Sequence, residues 1–231
     1  MKSDRNWVYF ITRIIVTIYF TLYHRLSVYG REKIPKDRPV IVASNHASYL
    51  DPPVVGYAFF PSYLKFIAWD KLFRFRPFGA FLRAMGSVPV SQEDKNSSAA
   101  LLRLVMGFIK EGYNVFICPE GHRTEDGRLQ PLEGGVAIMS LKTGAPVIPT
   151  YAAGTWRALA PHMRFPRPCK LTVTFGDPID PAQLPEGLNE KEKTPLHPCE
   201  NRGILQRAGR AGQGETSATR RRGGVKARAA V

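Results

Sequence analysis

The sequence predicts an α/β domain, a mixed open sheet covered by helices, with an amphipathic membrane-associating helix before it and a disordered basic tail after it. Three observations predict this class. Short apolar runs of buried-strand type alternate with segments of helical periodicity. An aromatic, apolar stretch precedes the first of them. Apolar periodicity stops after about Pro185, where Gly, Arg, Ala, Thr and Ser take over. The 231 residues suffice for one domain with a sizeable core. The expected organisation is a membrane-associating helix over 1–28, a globular domain over 29–190 and a low-complexity tail over 191–231.

Trp7 to Tyr23 is apolar and aromatic, broken mainly by Arg13. As a helix it would run roughly 25 Å, short of a bilayer core of about 30 Å, with Arg13 near its middle at considerable cost. No small-x-small cleavage site follows, which argues against a signal peptide. A helix lying on one leaflet fits better, with Trp7, Tyr9, Phe10, Tyr19, Phe20 and Tyr23 at the headgroup boundary and Lys2, Arg5, Arg13 and Arg25 toward anionic lipid. An ordinary core-packed helix is the alternative.

Pro39 to Ser44 reads as a buried strand. Asp51-Pro52 reads as a helix start, Asp at the N-cap and Pro at the first helical position. Tyr63–Trp69 is a second strand, Pro77–Met85 a short helix stopped by Gly86, and Ser87–Val90 a third strand. Ser97–Glu111 is the clearest helix, with Ala100, Leu101, Leu104, Val105, Phe108 and Ile109 at helical spacing and Gly112 at C′. Asn114–Cys118 is a strand and Glu133–Thr143 a helix closed by Gly144. Val147–Ala152 and Leu171–Phe175 are strands.

The formal net charge is +14, and residues 201–231 supply half of it through eight Lys and Arg against Glu215 alone. A basic surface suits anionic lipid or nucleic acid. No zinc-finger spacing is present, and the basic residues of the body are scattered, so nucleic-acid binding would rest on the tail alone and is disfavoured. Cys118, Cys169 and Cys199 are odd in number and widely spaced, which reads as reduced thiols in a cytosolic compartment. Cys118, at a strand end, reads as a small buried residue in preference to a nucleophile.

Two segments carry candidate chemistry. His46 follows a strand and Asp51 opens the next helix, so the turn between them can return the carboxylate to the imidazole. A carboxylate on one ring nitrogen fixes the tautomer and leaves the other nitrogen to accept a proton. On spacing alone a capping Asp beside a satisfied histidine is the plainer reading. In Glu120-Gly121-His122-Arg123, Arg123 can grip a phosphate, Gly121 can adopt a positive φ or let a ligand approach, and Glu120 can orient Arg123 or hold a hydroxyl. A surface turn with a solvated ion pair is equally open.

Together these blocks resemble the glycerolipid acyltransferase family, typified by lysophosphatidic acid acyltransferases. Asn45 to Asp51 matches the family's Asn-His-x4-Asp block. Gly86-Ser87-Val88-Pro89-Val90 is similar to its second block. Pro119 to Arg123 matches its Pro-Glu-Gly-Thr-Arg block except at His122, and Val147-Ile148-Pro149 is similar to its fourth. Gly127-Arg128-Leu129 and Gly134-Gly135-Val136-Ala137 look like its connecting segment, so the resemblance covers roughly residues 25–185.

The resemblance implies transfer of a fatty acyl group from acyl-CoA or acyl-carrier protein to the free hydroxyl of 1-acyl-glycerol 3-phosphate. His46 would be the base and Asp51 its partner. Asn45, Glu120, Gly121 and Arg123 would contribute to acceptor binding, and Pro149 to the acyl-donor side. No cofactor and no metal would be needed. The protein would be a monomer at the cytoplasmic face of a membrane. The arginine that usually ends the second block is missing: Ser91-Gln92 stand there, with Lys95 and Arg103 the nearest bases. That departure leaves room for another lysolipid acceptor, such as a lyso-ornithine lipid. A non-catalytic lipid-binding module has no need of His46 and Asp51. The composition change after Glu192, where the family usually continues with a helix, also fits a frameshifted or truncated reading frame.

Overall fold

The computed structural model describes residues 7–84, 86–91, 97–132 and 134–183. The tail over 191–231, with Cys199, lies outside the described residues, as do Lys2, Arg5, Met85, Gln92, Lys95 and Glu133. Among the described residues seven strands form one sheet: β1 Ser27–Tyr29, β2 Ile41–Ser44, β3 Leu64–Trp69, β4 Val88–Val90, β5 Asn114–Ile117, β6 Val147–Ala153 and β7 Thr172–Phe175. Among the described residues six α-helices accompany them: α1 Trp7–Ile18, α2 Asp51–Ala58, α3 Arg76–Ala84, α4 Ser97–Lys110, α5 Gly135–Thr143 and α6 Thr155–Ala158.

The spatial order is β1-β7-β6-β2-β5-β3-β4. β2, β3, β4, β5 and β6 run parallel. β7 is antiparallel to β6, and β1 is parallel to β7, so the sheet is mixed. Strands covered on both faces read as unbroken apolar runs, and β2 is buried at all four positions. Its alternate residues face opposite ways. Val40 and Val42 pack with Val54, Val55 and Ala58 of α2. Ile41 and Ala43 pack with Val105 and Ile109 of α4 and Val136, Ala137 and Met139 of α5.

This division follows from right-handed crossovers. The β2-α2-β3 connection moves across the sheet one way and covers one face. The β4-α4-β5 and β5-α5-β6 connections move back and cover the other. Chain direction therefore reverses around the central strands, and in such sheets the loops at the carboxyl ends of strands on either side of the reversal enclose a crevice. The loops after β2 and β5 are those loops.

α1 continues into a π-helical turn at Tyr19–Tyr23. Phe20 is buried among the α2-side core residues, a burial worth roughly 1.5–3 kcal/mol. Ile11, Ile14, Ile15, Ile18 and Leu22 are exposed. The helix and its turn are thus packed on the core along one side and bare along the other. Among the described residues no helix is long and apolar enough to cross a membrane. His24 locks the turn to the body: Nδ1 lies 3.0 Å from the Cys169 carbonyl and Nε2 2.9 Å from the Tyr19 hydroxyl.

Three local expectations change. β1 is an added strand, and the expected boundary at residues 28 and 29 falls inside it. Its three half-buried positions give no alternation to read. α6, a single turn after Gly154, is also added. Asp51 is not the N-cap. The cap is Leu50, and Asp51 is the first helical residue. Its carboxylate turns back to the amides of Ala47 and Ser48, which precede the helix, instead of forward to helical N–H groups.

Candidate active site

β2 and β5 are neighbours, so the chain leaving each arrives at the same edge of the sheet. The two loops are bonded to each other through the backbone of His46. The His46 N–H donates to Glu120 Oε1, and the His46 carbonyl accepts from the Thr124 N–H at 2.9 Å. The second Glu120 oxygen accepts from the Gln130 N–H at 2.7 Å. Glu120 is buried with both oxygens on backbone amides. Burial pushes its carboxyl up from the usual range, against the two amides, which pull it down.

The His46 ring is partly exposed, and its Nδ1 lies 3.3 Å from Asp51 Oδ2. Asp51 has no exposed side-chain surface. The same Oδ2 accepts from the N–H groups of Ala47 and Ser48, each at 2.6 Å. The carboxylate is thus fixed by the loop that carries the histidine. With Nδ1–H donating to Asp51, Nε2 is the acceptor nitrogen, and no described residue bonds it. Asp51 Oδ1 is buried and has no partner among the described residues. Such short local clamps hold the His46 and Asp51 side chains in place at the end of a rigid sheet strand.

Asn45 faces a strand. Its Nδ2–H donates to the Ala152 carbonyl at 3.2 Å and its Oδ1 accepts the Ala152 N–H at 2.7 Å. This pairing ties the residue after β2 to β6 beyond the last ladder pair, Ser44↔Thr150. Ser48 completes the loop, its hydroxyl donating to the Leu159 carbonyl at 2.6 Å and accepting from the Leu50 N–H at 3.0 Å.

Gly121 has φ +70°, the left-handed conformation expected of a glycine there. Its N–H closes a turn onto the Cys118 carbonyl at 3.1 Å. Arg123 places its guanidinium carbon 3.7 Å from the centroid of the Tyr49 ring. Among the described residues it has no carboxylate partner. His122 is exposed beside it. Cys118 lies under the site, where burial first, then Asp51 and Glu120, push its thiol well up, so it is a poor nucleophile.

The structure therefore brings His46, Asp51, Asn45 and Glu120 into one bonded set, with Gly121 and Arg123 on the adjoining loop. Pro149 lies apart, buried in β6 opposite Ala43, its carbonyl accepting the Gly176 N–H at 2.7 Å. The second block ends β4 at the sheet margin, with β5 and β3 between it and β2. Sequence reading missed Ser48, Tyr49, Thr124 and Gln130. Ser48 and Tyr49 lay inside a block already singled out. Thr124 and Gln130 contribute backbone N–H groups to these contacts, which any residue type supplies, so their sequence carried no signal. Among the described residues no group of three His, Cys, Asp or Glu stands together to hold a metal ion.

Comparison with known proteins finds the same frame. A 1-acyl-sn-glycerol-3-phosphate acyltransferase of Brassica napus, chloroplastic, is 33% identical over 159 residues, covering 68% of this chain and 46% of that protein. The enzyme of that name from Bacillus subtilis is 26% identical over 180 residues, covering 73% of this chain and 86% of its own. The chain thus spans less than half the length of the plant relative. The crystal structure of the 1-acyl-sn-glycerophosphate acyltransferase PlsC from Thermotoga maritima superposes with a TM-score of 0.70 at 26% identity, covering 86% of this chain and 77% of that one. The acyltransferase family matches residues 25–153, more than half of the chain and the span holding both loops of the site, and the chain belongs to that family.

Proposed function

We propose that this chain transfers a fatty acyl group from acyl-CoA or acyl-carrier protein to the free hydroxyl of 1-acyl-glycerol 3-phosphate, giving phosphatidic acid, at the cytoplasmic face of a membrane. The observation that carries the reading is the His46–Asp51 pair, anchored by two amides of its own loop and leaving Nε2 without a partner among the described residues.

The acceptor hydroxyl loses its proton to His46 Nε2 as its oxygen attacks the thioester carbonyl. Asp51 holds the ring in the Nδ1–H tautomer and stabilises the imidazolium. The tetrahedral adduct then breaks its C–S bond, and the imidazolium returns the proton to the departing thiolate. Atoms balance with no acyl-enzyme. Arg123, free of carboxylate partners among the described residues, is the group placed for the acceptor phosphate. Asn45 and Glu120 act by holding the backbone on either side of His46. Gly121 gives the turn its shape. Pro149, within the sheet, acts on the acyl-donor side only through β6.

The test is transfer from labelled acyl-CoA, with acyl-carrier protein in parallel, to lysophosphatidic acid in a membrane fraction. His46→Ala should lower the rate by about 10²–10⁴-fold. Ser91-Gln92 in the region of the second-block arginine motivate a parallel arm with lyso-ornithine lipid and larger-headgroup lysolipids. Activity confined to that arm replaces the acceptor. Inactivity of folded protein with every acceptor refutes the reading.

A further inference from the structure

The catalytic reading makes no use of the segment between β3 and β4. It consists of a 3₁₀ turn, Asp70–Phe73, and α3. Phe73 is buried, and α3 sits tightly on it: a Cβ at Gly79 would lie 2.5 Å from the Phe73 carbonyl oxygen. With its inner side fixed in this way, the segment leaves Leu72 of the 3₁₀ turn, Phe75 just before α3, and Phe78 and Phe81 of α3 exposed, Phe75 at 69%. They recur at every third residue, and within α3 the i, i+3 pair Phe78 and Phe81 lies side by side, the two rings stacked at 6.2 Å. Exposed Arg74, Arg76 and Arg83 interleave with them, and Asp70 is the only acid from 70 to 84.

A contiguous exposed apolar patch is uncommon on a soluble monomer and marks an interaction surface. Aromatic rings interleaved with arginines are the composition of a headgroup-level contact, rings entering the acyl boundary and guanidinium groups meeting lipid phosphate. We propose that this α3 surface docks on an anionic lipid surface, as a second contact separate from α1.

Two further observations favour that occupant. First, β3 to β4 crosses the sheet in the same direction as β2 to β3, so right-handed connection places α3 on the face covered by α2. α1 packs on that face too, through Val16, Tyr19 and Phe20. A single lipid surface can therefore meet both apolar regions. Second, the chain's own material is poorly matched. Residues 184–231 are net basic and a second copy brings +14, so both repel the arginines. Two modest contacts together bind far more tightly than either.

The inference rests on the membrane placement proposed above but not on the chemistry, so the test reads binding alone. The full chain is mixed with vesicles of phosphatidylcholine, with and without phosphatidylglycerol. Hydrogen exchange is followed over residues 72–84. Vesicle affinity is measured for wild type, for the double variant Arg74→Glu with Arg76→Glu, and for Phe75→Ser with Phe78→Ser. Slowed exchange at 72–84 on anionic vesicles, and affinity lowered by about tenfold or more in each double variant, is the expected result. Thermal melting of the unbound variants, unchanged from wild type, keeps misfolding apart from lost docking. Binding with 72–84 unprotected, or with both variants at wild-type affinity, overturns the α3 contact. Absence of vesicle binding overturns both it and the membrane placement. Protection produced by acyl-CoA without vesicles also overturns it, because the exposed rings then belong to the acyl-donor site.

Discussion

Replacing Asp51 by Asn separates the charge of the carboxylate from its hydrogen bonds. Asp51 Oδ2 accepts two amide N–H groups at 2.6 Å as well as the His46 ring. In Asp51→Asn the carboxamide oxygen takes that place, because the NH₂ group there would leave two buried amides facing a donor, at about 1–3 kcal/mol each. The oxygen still accepts from Nδ1–H, so the tautomer is kept and what disappears is the negative charge beside the imidazolium. At 3.3 Å and an effective dielectric of about 20, that attraction is about 5 kcal/mol. Full charge is reached only after proton transfer, and the ring is partly exposed. About half of that energy should appear in the barrier, a loss in kcat of about 10²-fold. Asp51→Ala removes the acceptor as well and should cost about 2–6 kcal/mol of stability, from the two stranded amides. Initial rates at saturating donor and acceptor, with thermal melts of both variants, distinguish the effects. An Asn variant within about tenfold of wild type would refute the charge role of Asp51. So would an Ala variant that melts with wild type, for the amide clamp.

Three more outcomes follow from the same geometry. Tyr49→Leu removes the ring under Arg123, a contact worth about 0.5–1 kcal/mol at an exposed site. KM for lysophosphatidic acid should rise about two- to fivefold with kcat little changed, Tyr49→Phe should behave as wild type, and equal effects of Leu and Phe would show the ring to be irrelevant. Asn45→Ala strands the Ala152 carbonyl and N–H in a buried setting and should lower stability by about 2–4 kcal/mol, read by urea unfolding. For His24, burial lowers the ring below its ordinary value of 6.5, with the Cys169 carbonyl opposing. Between the lowered value and 6.5 the unfolded chain binds more protons. The His24 contribution is therefore complete above about pH 6.5 and lost as pH falls below it. Melting temperatures of wild type and His24→Gln, compared across that window, should converge toward acid, and parallel curves would contradict the sign.

Much of the sheet was legible because its central strands are buried on both faces. The runs at 39–44, 114–118 and 147–152 locate β2, β5 and β6 to within a residue or two. The apolar spacing of 97–111 locates α4 equally well. β1 was not legible. It is short and half-buried at an edge, and its place depends on β7, far along the chain. Strand order was not legible either, since it is set by which helices share a face. The Asp51 cap was misread for a physical reason. The rule supplies an acceptor for the N–H groups of the helix that follows, but here the loop before the helix has two amides pointing inward, and the carboxylate serves those.

The site shows a related division between what a motif names and what its residues do. Asn45, Glu120 and Asp51 all look like substrate or proton-handling groups in sequence, because polar side chains after a strand are read as facing solvent. In the folded chain each accepts hydrogen bonds from backbone N–H groups. Asn45 ties the loop to β6, Glu120 bonds His46 N–H and Gln130 N–H, and Asp51 closes the turn. A buried acceptor costs little once it is fully bonded and much if a partner is lost. Substitution at Asn45 or Glu120 should therefore register first as instability of the loop and only then as lost rate. His46 and Arg123 are the groups left facing outward, on two loops that only neighbouring strands could bring together. Their separation is set by the His46 backbone, held through its N–H by Glu120 and through its carbonyl by Thr124. Glu120→Gln, which keeps one acceptor and turns a donor toward the other amide, should thus shift His46 and Arg123 relative to each other. kcat should fall and KM for the acceptor rise together, whereas change in only one of them would show that the two loops are positioned independently.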